Sequence, residues 1–177
     1  MQNFKSDHKP PHYLSDNTIY FITAATYHKT PFFDNNTKKE ILKNILKEKA
    51  AKFSVDIFAF VIMDNHYHLL IKIKKGEDLK GFIKGINGKS AYLLNEMDNV
   101  AERMVWYNYW DACIKEEKDF WARFNYIHHN PVKHGYVARM EDYEYSSYKK
   151  WLEEKGVEWI NDAFEKYPIV DFTNGDE

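Results

Sequence analysis

Two histidines one residue apart, His66 and His68, are the side chains of this sequence best suited to bind a metal ion. Apolar runs at 57–63 and 69–73 flank the turn-forming pair Asp64-Asn65. This pattern predicts two adjacent strands, with the histidines at the start of the second. Because side chains alternate between the faces of a strand, the two imidazoles share a face, about 6.6 Å apart. At that separation both can bind one cation, while the residue between them points to the opposite face and packs.

A phenol and an amide follow in the run Tyr126-Ile127-His128-His129-Asn130-Pro131. Apolar residues at helical spacing predict a helix over 116–130, and the residue before a proline disfavours helical backbone, so the helix is expected to end near Asn130. Tyr126 and Asn130 are four residues apart and are therefore neighbours on one helical face. Side by side, the phenol and the amide can contact the same ion and the same phosphate.

Metal-assisted attack of a tyrosine on a phosphodiester is the chemistry that these four side chains permit together. A tyrosine hydroxyl has an ordinary pKa near 10, so little phenolate exists at neutral pH. A divalent cation would withdraw charge from the phosphate and orient it for in-line attack by Tyr126. Each signal alone has a plainer interpretation: two ordinary strand histidines, or a packed tyrosine followed by a helix stop.

Taken in this order, the segments resemble the single-tyrosine HUH transposases, and among them most closely the REP-associated tyrosine transposases. The resemblance covers about residues 17 to 150. Besides the triplet His66-Tyr67-His68, it rests on three longer segments, Val105–Asp111, Tyr126–Val137 and Asp142–Tyr148.

The resemblance implies a function for each residue of the two motifs. His66 and His68 are expected to bind a divalent metal ion, Mg²⁺ or Mn²⁺, with Asn130 as a third ligand. Tyr126 is expected to be the catalytic nucleophile, which cleaves and rejoins single-stranded DNA through a covalent 5′-phosphotyrosine. The implied partner is single-stranded DNA with hairpins or REP-like repeats, and the implied assembly is a monomer or a homodimer.

The elements that must position these residues follow the order β-α-β-β-α-β. Strands are predicted at 18–27, 55–63, 66–74 and 103–115, and helices at 36–53 and 77–97. This order predicts an α+β fold, a ferredoxin-like antiparallel sheet with helices packed on one face, followed by the C-terminal catalytic helix. The predicted domains are a flexible N-terminal arm (1–16), an HUH single-tyrosine transposase domain (17–150) and a C-terminal tail (151–177).

The charge of the chain does not favour nucleic-acid binding by itself, because the net charge is −2 and nucleic-acid affinity rests on a basic surface. Lysines nevertheless concentrate after the histidine strand, and a DNA-binding surface is predicted there, with a merely solvated face as the alternative. The predicted DNA contacts are Lys72, Lys74, Lys80, Lys84, Lys89 and Lys133.

The sequence also indicates where the protein is located and leaves two alternative functions. No apolar run reaches the length of a membrane span, and the single cysteine excludes an intrachain disulfide, so a cytoplasmic protein without a membrane partner is expected. The first alternative is a catalytically silent hairpin-DNA-binding protein derived from such a transposase. The second is a hydrolase of small phosphate compounds, which would need a third histidine where the sequence has Leu70.

Overall fold

The computed structural model describes residues 14–170 and residue 172. Within them the strands are β1 (Thr18–Thr26), β2 (Asp56–Ile62), β3 (His66–Ile73) and β4 (Trp106–Ile114). The α-helices are α1 (Asn36–Phe53), α2 (Asp78–Met97), α3 (Glu117–Lys133), α4 (Tyr148–Lys155) and α5 (Val157–Lys166). The predicted arm at 1–16 lies outside the described residues except for its last three, and so do residues 171 and 173–177 of the predicted tail.

The four strands form one antiparallel sheet in the order β2-β3-β1-β4. Together with the element order, this strand order confirms the predicted ferredoxin-like α+β fold. β1 is a central strand, and seven of its nine residues are buried. Its pairing with β3 places Thr23 opposite His68 and Ala25 opposite His66, so the histidine end of β3 lies beside the end of β1.

Alternating side chains of the sheet contribute to two separate cores. On one face, residues such as Tyr20 and Leu69 pack against α1 and α2, the two crossover helices of the ferredoxin-like unit. On the opposite face, Phe21 and Leu70 pack against the apolar side of α3. Fully burying one such side chain stabilises the fold by about 1.5–3 kcal/mol. The face that α3 covers is the face of His66 and His68, because those residues alternate in step with Leu70.

α3 continues three residues beyond the predicted end at Asn130, so the prediction that the helix ends before Pro131 is wrong. Asn130 and Pro131 are both buried against the sheet, and such tertiary packing overrides a local backbone preference. The turn stays closed because Asn130 O accepts a hydrogen bond from His134 N at 3.0 Å. Asn130 therefore lies within the helix, with its side chain fixed in direction.

The C-terminal helices pack on the outer side of α3. α5 follows α4 after Gly156. The buried amide of Asn125 donates hydrogen bonds to Ala163 O at 2.9 Å and to Tyr167 O at 2.7 Å. Asn125 precedes Tyr126, so one residue joins the end of α5 to the helix that positions the phenol. None of the described helices is both long and apolar enough to cross a membrane.

Replacing Asn125 by alanine should lower the free energy of unfolding by about 1–3 kcal/mol, because Ala163 O and Tyr167 O each lose a hydrogen bond and Ala163 O keeps only the one from Tyr167 N. The matched control is Asn161→Ala on the exposed side of α5, which should change stability by less than about 0.5 kcal/mol. Urea unfolding followed by circular dichroism measures both. Equal stability of the two variants would show that Asn125 does not anchor α5.

Candidate active site

The turn between β2 and β3 fixes the position of the histidine pair. The backbone N–H of Thr26 donates to Asn65 O at 2.8 Å, and that of Phe33 donates to Asp64 O at 2.9 Å. His66 is 8% exposed and His68 is fully buried, and their ring centroids are 4.9 Å apart. The predicted sharing of one face by the two imidazoles is therefore confirmed.

His68 is a neutral imidazole inside the protein. Burial lowers its pKa well below the usual value, and the nearby His66 lowers it further. Its Nδ1 lies 2.8 Å from Thr23 Oγ1. Its Nε2 is buried, and no side chain or backbone group of the described residues hydrogen bonds to it. In the tautomer in which Nδ1–H donates to Thr23 Oγ1, Nε2 holds a lone pair directed into the site, as a metal ligand requires.

His66 is oriented by the residue before it. Its Nδ1 lies 2.7 Å from Asn65 Oδ1, and the Asn65 amide nitrogen donates to Lys29 O at 3.2 Å. This second bond fixes the direction of the Asn65 amide, so Nδ1 of His66 donates to Asn65 Oδ1. Nε2 lies 3.2 Å from Asn130 Oδ1. In the neutral ring Nε2 holds a lone pair, so one cation could be bound by both the ring nitrogen and the amide oxygen.

Tyr126 lies beside the second histidine. Its ring is 1% exposed, and its centroid is 5.4 Å from that of His68. The same ring lies 6.3 Å from Phe21 and 5.2 Å from Phe172, centroid to centroid. Lys133 Nζ lies 5.3 Å from the ring centroid of Tyr126. α3 therefore presents the phenol and the Asn130 amide to the two histidines, as their spacing of four residues predicts.

The residues present fit a divalent ion held by two imidazole nitrogens and one amide oxygen. Among the described residues no group of three His, Cys, Asp or Glu side chains could hold a metal ion. All three donors of the candidate site are neutral, so an ion bound there keeps its positive charge for a phosphate. Imidazole ligands also accept zinc or nickel, so the expectation of Mg²⁺ or Mn²⁺ rests on the family resemblance rather than on this donor set.

The neighbouring aromatic and histidine residues divide into packing residues and site residues. Tyr67 points to the opposite face, as predicted, and donates to Asn87 Oδ1 at 2.9 Å. His128 packs: its Nε2 lies 2.7 Å from Ser147 Oγ, and burial lowers its pKa to about 3. His134 lies beside the site, with its ring centroid 5.6 Å from that of His66.

The six predicted DNA contacts do not form one cluster. Lys133 lies at the site, whereas Lys80, Lys84 and Lys89 project from α2, which covers the face of the sheet opposite to the histidines. Lys89 forms an ion pair with Glu48 at 2.5 Å. Lys72 shares the histidine face but lies about 13 Å beyond His68 along β3, and Lys74 is exposed just past the end of that strand.

Replacing Thr23 by valine should weaken Mn²⁺ binding by about 10–100-fold, the usual effect of removing a hydrogen bond that orients a metal-binding histidine. Valine keeps the shape of threonine and removes only the hydroxyl that contacts His68. Thr18→Val, at the far end of the same strand, is the control and should leave Mn²⁺ affinity unchanged. Titration calorimetry measures both, and unchanged affinity in Thr23→Val would remove Thr23 from the site.

The family model described as Transposase IS200 like matches residues 15–130 of this chain. The chain belongs to this family. The matched range contains the histidine pair, Tyr126 and Asn130.

Individual relatives of this transposase family member share low identity over most of its length. A Haemophilus influenzae protein, provisionally named a REP-associated tyrosine transposase, is 24% identical over 160 residues, covering 85% of this chain and 87% of the relative. The REP-associated tyrosine transposase of Escherichia coli is 21% identical over 174 residues, covering 92% and 98%. A solved REP-associated tyrosine transposase bound to a REP hairpin shares the fold, with TM-score 0.71, 20% identity and coverage of 84% and 87%.

Proposed function

We propose that this protein is a metal-dependent single-stranded DNA transposase. It nicks and rejoins hairpin-associated DNA through a covalent 5′-phosphotyrosine on Tyr126. The observation that carries the proposal is the convergence of four side chains from two elements. His66 Nε2 lies 3.2 Å from Asn130 Oδ1, and the ring of His68 lies 5.4 Å from that of Tyr126, centroid to centroid. Membership of the IS200-like transposase family supports the same chemistry.

The protein's own residues would bind and orient the reacting groups. His66, His68 and Asn130 would hold Mn²⁺ or Mg²⁺, which when bound supplies charge stabilisation for the phosphate. Tyr126 is fixed by the packing of its ring, so its hydroxyl is limited to one approach toward a phosphate at the histidines. The Lys133 ammonium, beside that ring, would favour the anionic phenolate and the anionic substrate. The covalent bond to Tyr126 conserves the phosphodiester for rejoining.

The proposed DNA partner is a hairpin of the REP type with a single-stranded extension. The support is the structural neighbour, a REP-associated tyrosine transposase bound to a REP hairpin. The six lysines stay predicted DNA contacts. Of these, Lys133 lies 5.3 Å from the ring of Tyr126 and would contact the reacting strand. The lysines on α2 would contact only DNA that reaches the other side of the sheet.

The test of the proposed function is a labelled hairpin oligonucleotide panel incubated with the protein and Mn²⁺. A 5′-phosphotyrosine keeps the segment on the 3′ side of the nick attached to protein, so a 3′ label should comigrate with denatured protein and a 5′ label should not. Hairpin binding without any covalent product across the panel would instead support the catalytically silent hairpin-binding protein. A 5′ label on the protein would contradict the proposed polarity.

A further inference from the structure

Next to the candidate metal ligand His66, a cavity of about 260 Å³ opens to solvent. This volume exceeds what a single ion needs. The cavity is lined by Ala25, Lys29, Asn65, His66, His134 and Tyr136. Tyr126 and His68 are not among these residues. The cavity therefore adjoins the candidate metal site through His66 and provides additional space beside it.

The charge of this cavity suits a phosphate group. Lys29 provides an ammonium, and none of the lining residues is acidic. The nearest carboxylate at its wall, Asp64, is neutralised by the buried Lys39, whose Nζ lies 2.6 Å from Asp64 Oδ1. Burial raises the pKa of Tyr136, and the adjacent Asp64 raises it further, so the phenol of Tyr136 stays neutral. The rings of His134 and Tyr136 add flat surfaces on which a nucleobase can lie.

The backbone that presents Lys29 is strained. His28 and Lys29 both have φ of 54°, the left-handed region that residues other than glycine rarely adopt. Two hydrogen bonds hold this conformation, from Thr26 Oγ1 to Thr30 O at 2.7 Å and from Asn65 Nδ2 to Lys29 O at 3.2 Å. Strain that the surrounding structure maintains is concentrated at functional sites. The same Asn65 amide orients His66, so the position of Lys29 is coupled to that of a metal ligand.

The geometry of in-line substitution at phosphorus indicates which part of the DNA this cavity would bind. The attacking and leaving oxygens lie on opposite sides of the phosphorus. His134 follows the last residue of α3, eight residues after Tyr126 and about 12 Å along the helix axis. The rings of His68 and His66 lie between them. A phosphate bound at the histidines would therefore have Tyr126 on one side and this cavity on the other.

We propose that this cavity binds the nucleotide that ends in the leaving 3′-oxygen, and that Lys29 contacts the phosphate on the 5′ side of that nucleotide. The inference rests on the proposed function. In cleavage the bond from Tyr126 Oη to phosphorus forms, the bond from phosphorus to O3′ breaks, and the phenol proton is transferred, in net terms, to the 3′-oxygen. In rejoining the same cavity would bind the acceptor strand by its 3′-hydroxyl end, while the other strand remains attached to Tyr126.

The experiment measures the second step separately from the first. Protein carrying a 3′-labelled strand on Tyr126 is mixed with increasing concentrations of an unlabelled oligonucleotide that ends in a 3′-hydroxyl, and transfer of label from protein to DNA is timed. Lys29→Ala should raise the half-saturating acceptor concentration about tenfold, as expected for one lost contact between a lysine and a phosphate, with the maximal rate within about threefold. Lys29→Arg should recover most of the affinity because it restores the charge.

The control is Lys52→Ala, an exposed lysine near the far end of α1, and it should match the wild type. The same half-saturating acceptor concentration in Lys29→Ala and wild type would overturn the inference. An equal rise of that concentration in Lys29→Ala and Lys52→Ala would also overturn it, because it would indicate a general charge effect. Should the wild type form no covalent product, the proposed function fails and a second measurement decides the inference. In the Tyr126→Phe background, Lys29→Ala must weaken binding of the 3′-hydroxyl oligonucleotide in fluorescence anisotropy about tenfold; unchanged binding overturns it.

Discussion

Tyr126→Phe should form covalent product with the labelled hairpin at a rate at least about 10³-fold below the wild type, as expected when a covalent nucleophile is removed. The substitution deletes one oxygen atom and leaves the ring, which packs against His68, Phe21 and Phe172. Binding of the same hairpin should change by less than about threefold, because phenylalanine keeps the ring and its packing. A larger loss of binding would indicate an effect that is not specific to the nucleophile. Denaturing gels of the 3′-labelled product and anisotropy of the uncleaved hairpin measure the two quantities.

Tyr67→Phe is the matched control for this prediction. Tyr67 lies between the two histidines in the sequence, is 2% exposed and points to the opposite face of the sheet. Its variant should keep the covalent product and lose about 1 kcal/mol of stability with the hydrogen bond to Asn87. Covalent product that persists in Tyr126→Phe, or that disappears in Tyr67→Phe, would contradict the assignment of the nucleophile.

Removal of the metal should abolish the reaction of the wild type. In His68→Ala the reaction should be lost, and added Mn²⁺ should not restore it. Wild-type protein treated with a chelator should regain full activity when Mn²⁺ is returned. In His68→Ala one of three protein ligands is gone, so Mn²⁺ affinity should fall by more than about 100-fold, beyond the effect of losing an orienting hydrogen bond. At a Mn²⁺ concentration that saturates the wild type, the variant should then form almost no covalent product.

Asn161→Ala, the exposed variant on α5 described above, controls for a substitution away from the site. It should bind Mn²⁺ and react like the wild type. Thermal unfolding of His68→Ala without metal separates a folding defect from a binding defect, since the buried ring leaves a cavity that costs stability. Full activity of folded His68→Ala, or activity of the wild type in excess chelator, would exclude metal-assisted chemistry at this site.

Local patterns were sufficient to predict the frame of the site. α1 coincides with its predicted range, and β3 begins at His66 as the turn at Asp64-Asn65 predicts. These elements follow from periodicity and turn residues, which act over a few positions of the chain. The four residues of the candidate site follow from the same short spacings, i to i+2 on a strand and i to i+4 on a helix. The structure brings the two pairs together because α3 packs on the histidine face.

Contacts between distant segments explain what the sequence did not predict. Thr23 orients His68 from 45 residues away, and the strained turn at Lys29 lies 36 residues before the Asn65 amide that holds it. No periodicity identifies such partners, because threonine on a strand or lysine in a turn has no distinctive local pattern. α3 passes through Pro131 for a similar reason: burial of its last turn outweighs the proline preference that a sequence shows.

The most direct test of the central claim is anomalous X-ray scattering from crystals grown with Mn²⁺. The account predicts one manganese peak within about 2.0–2.3 Å of His66 Nε2, His68 Nε2 and Asn130 Oδ1, with the Tyr126 hydroxyl facing the ion's open side. Manganese bound elsewhere, or a Tyr126 hydroxyl directed away from an ion held by the histidines, would contradict it.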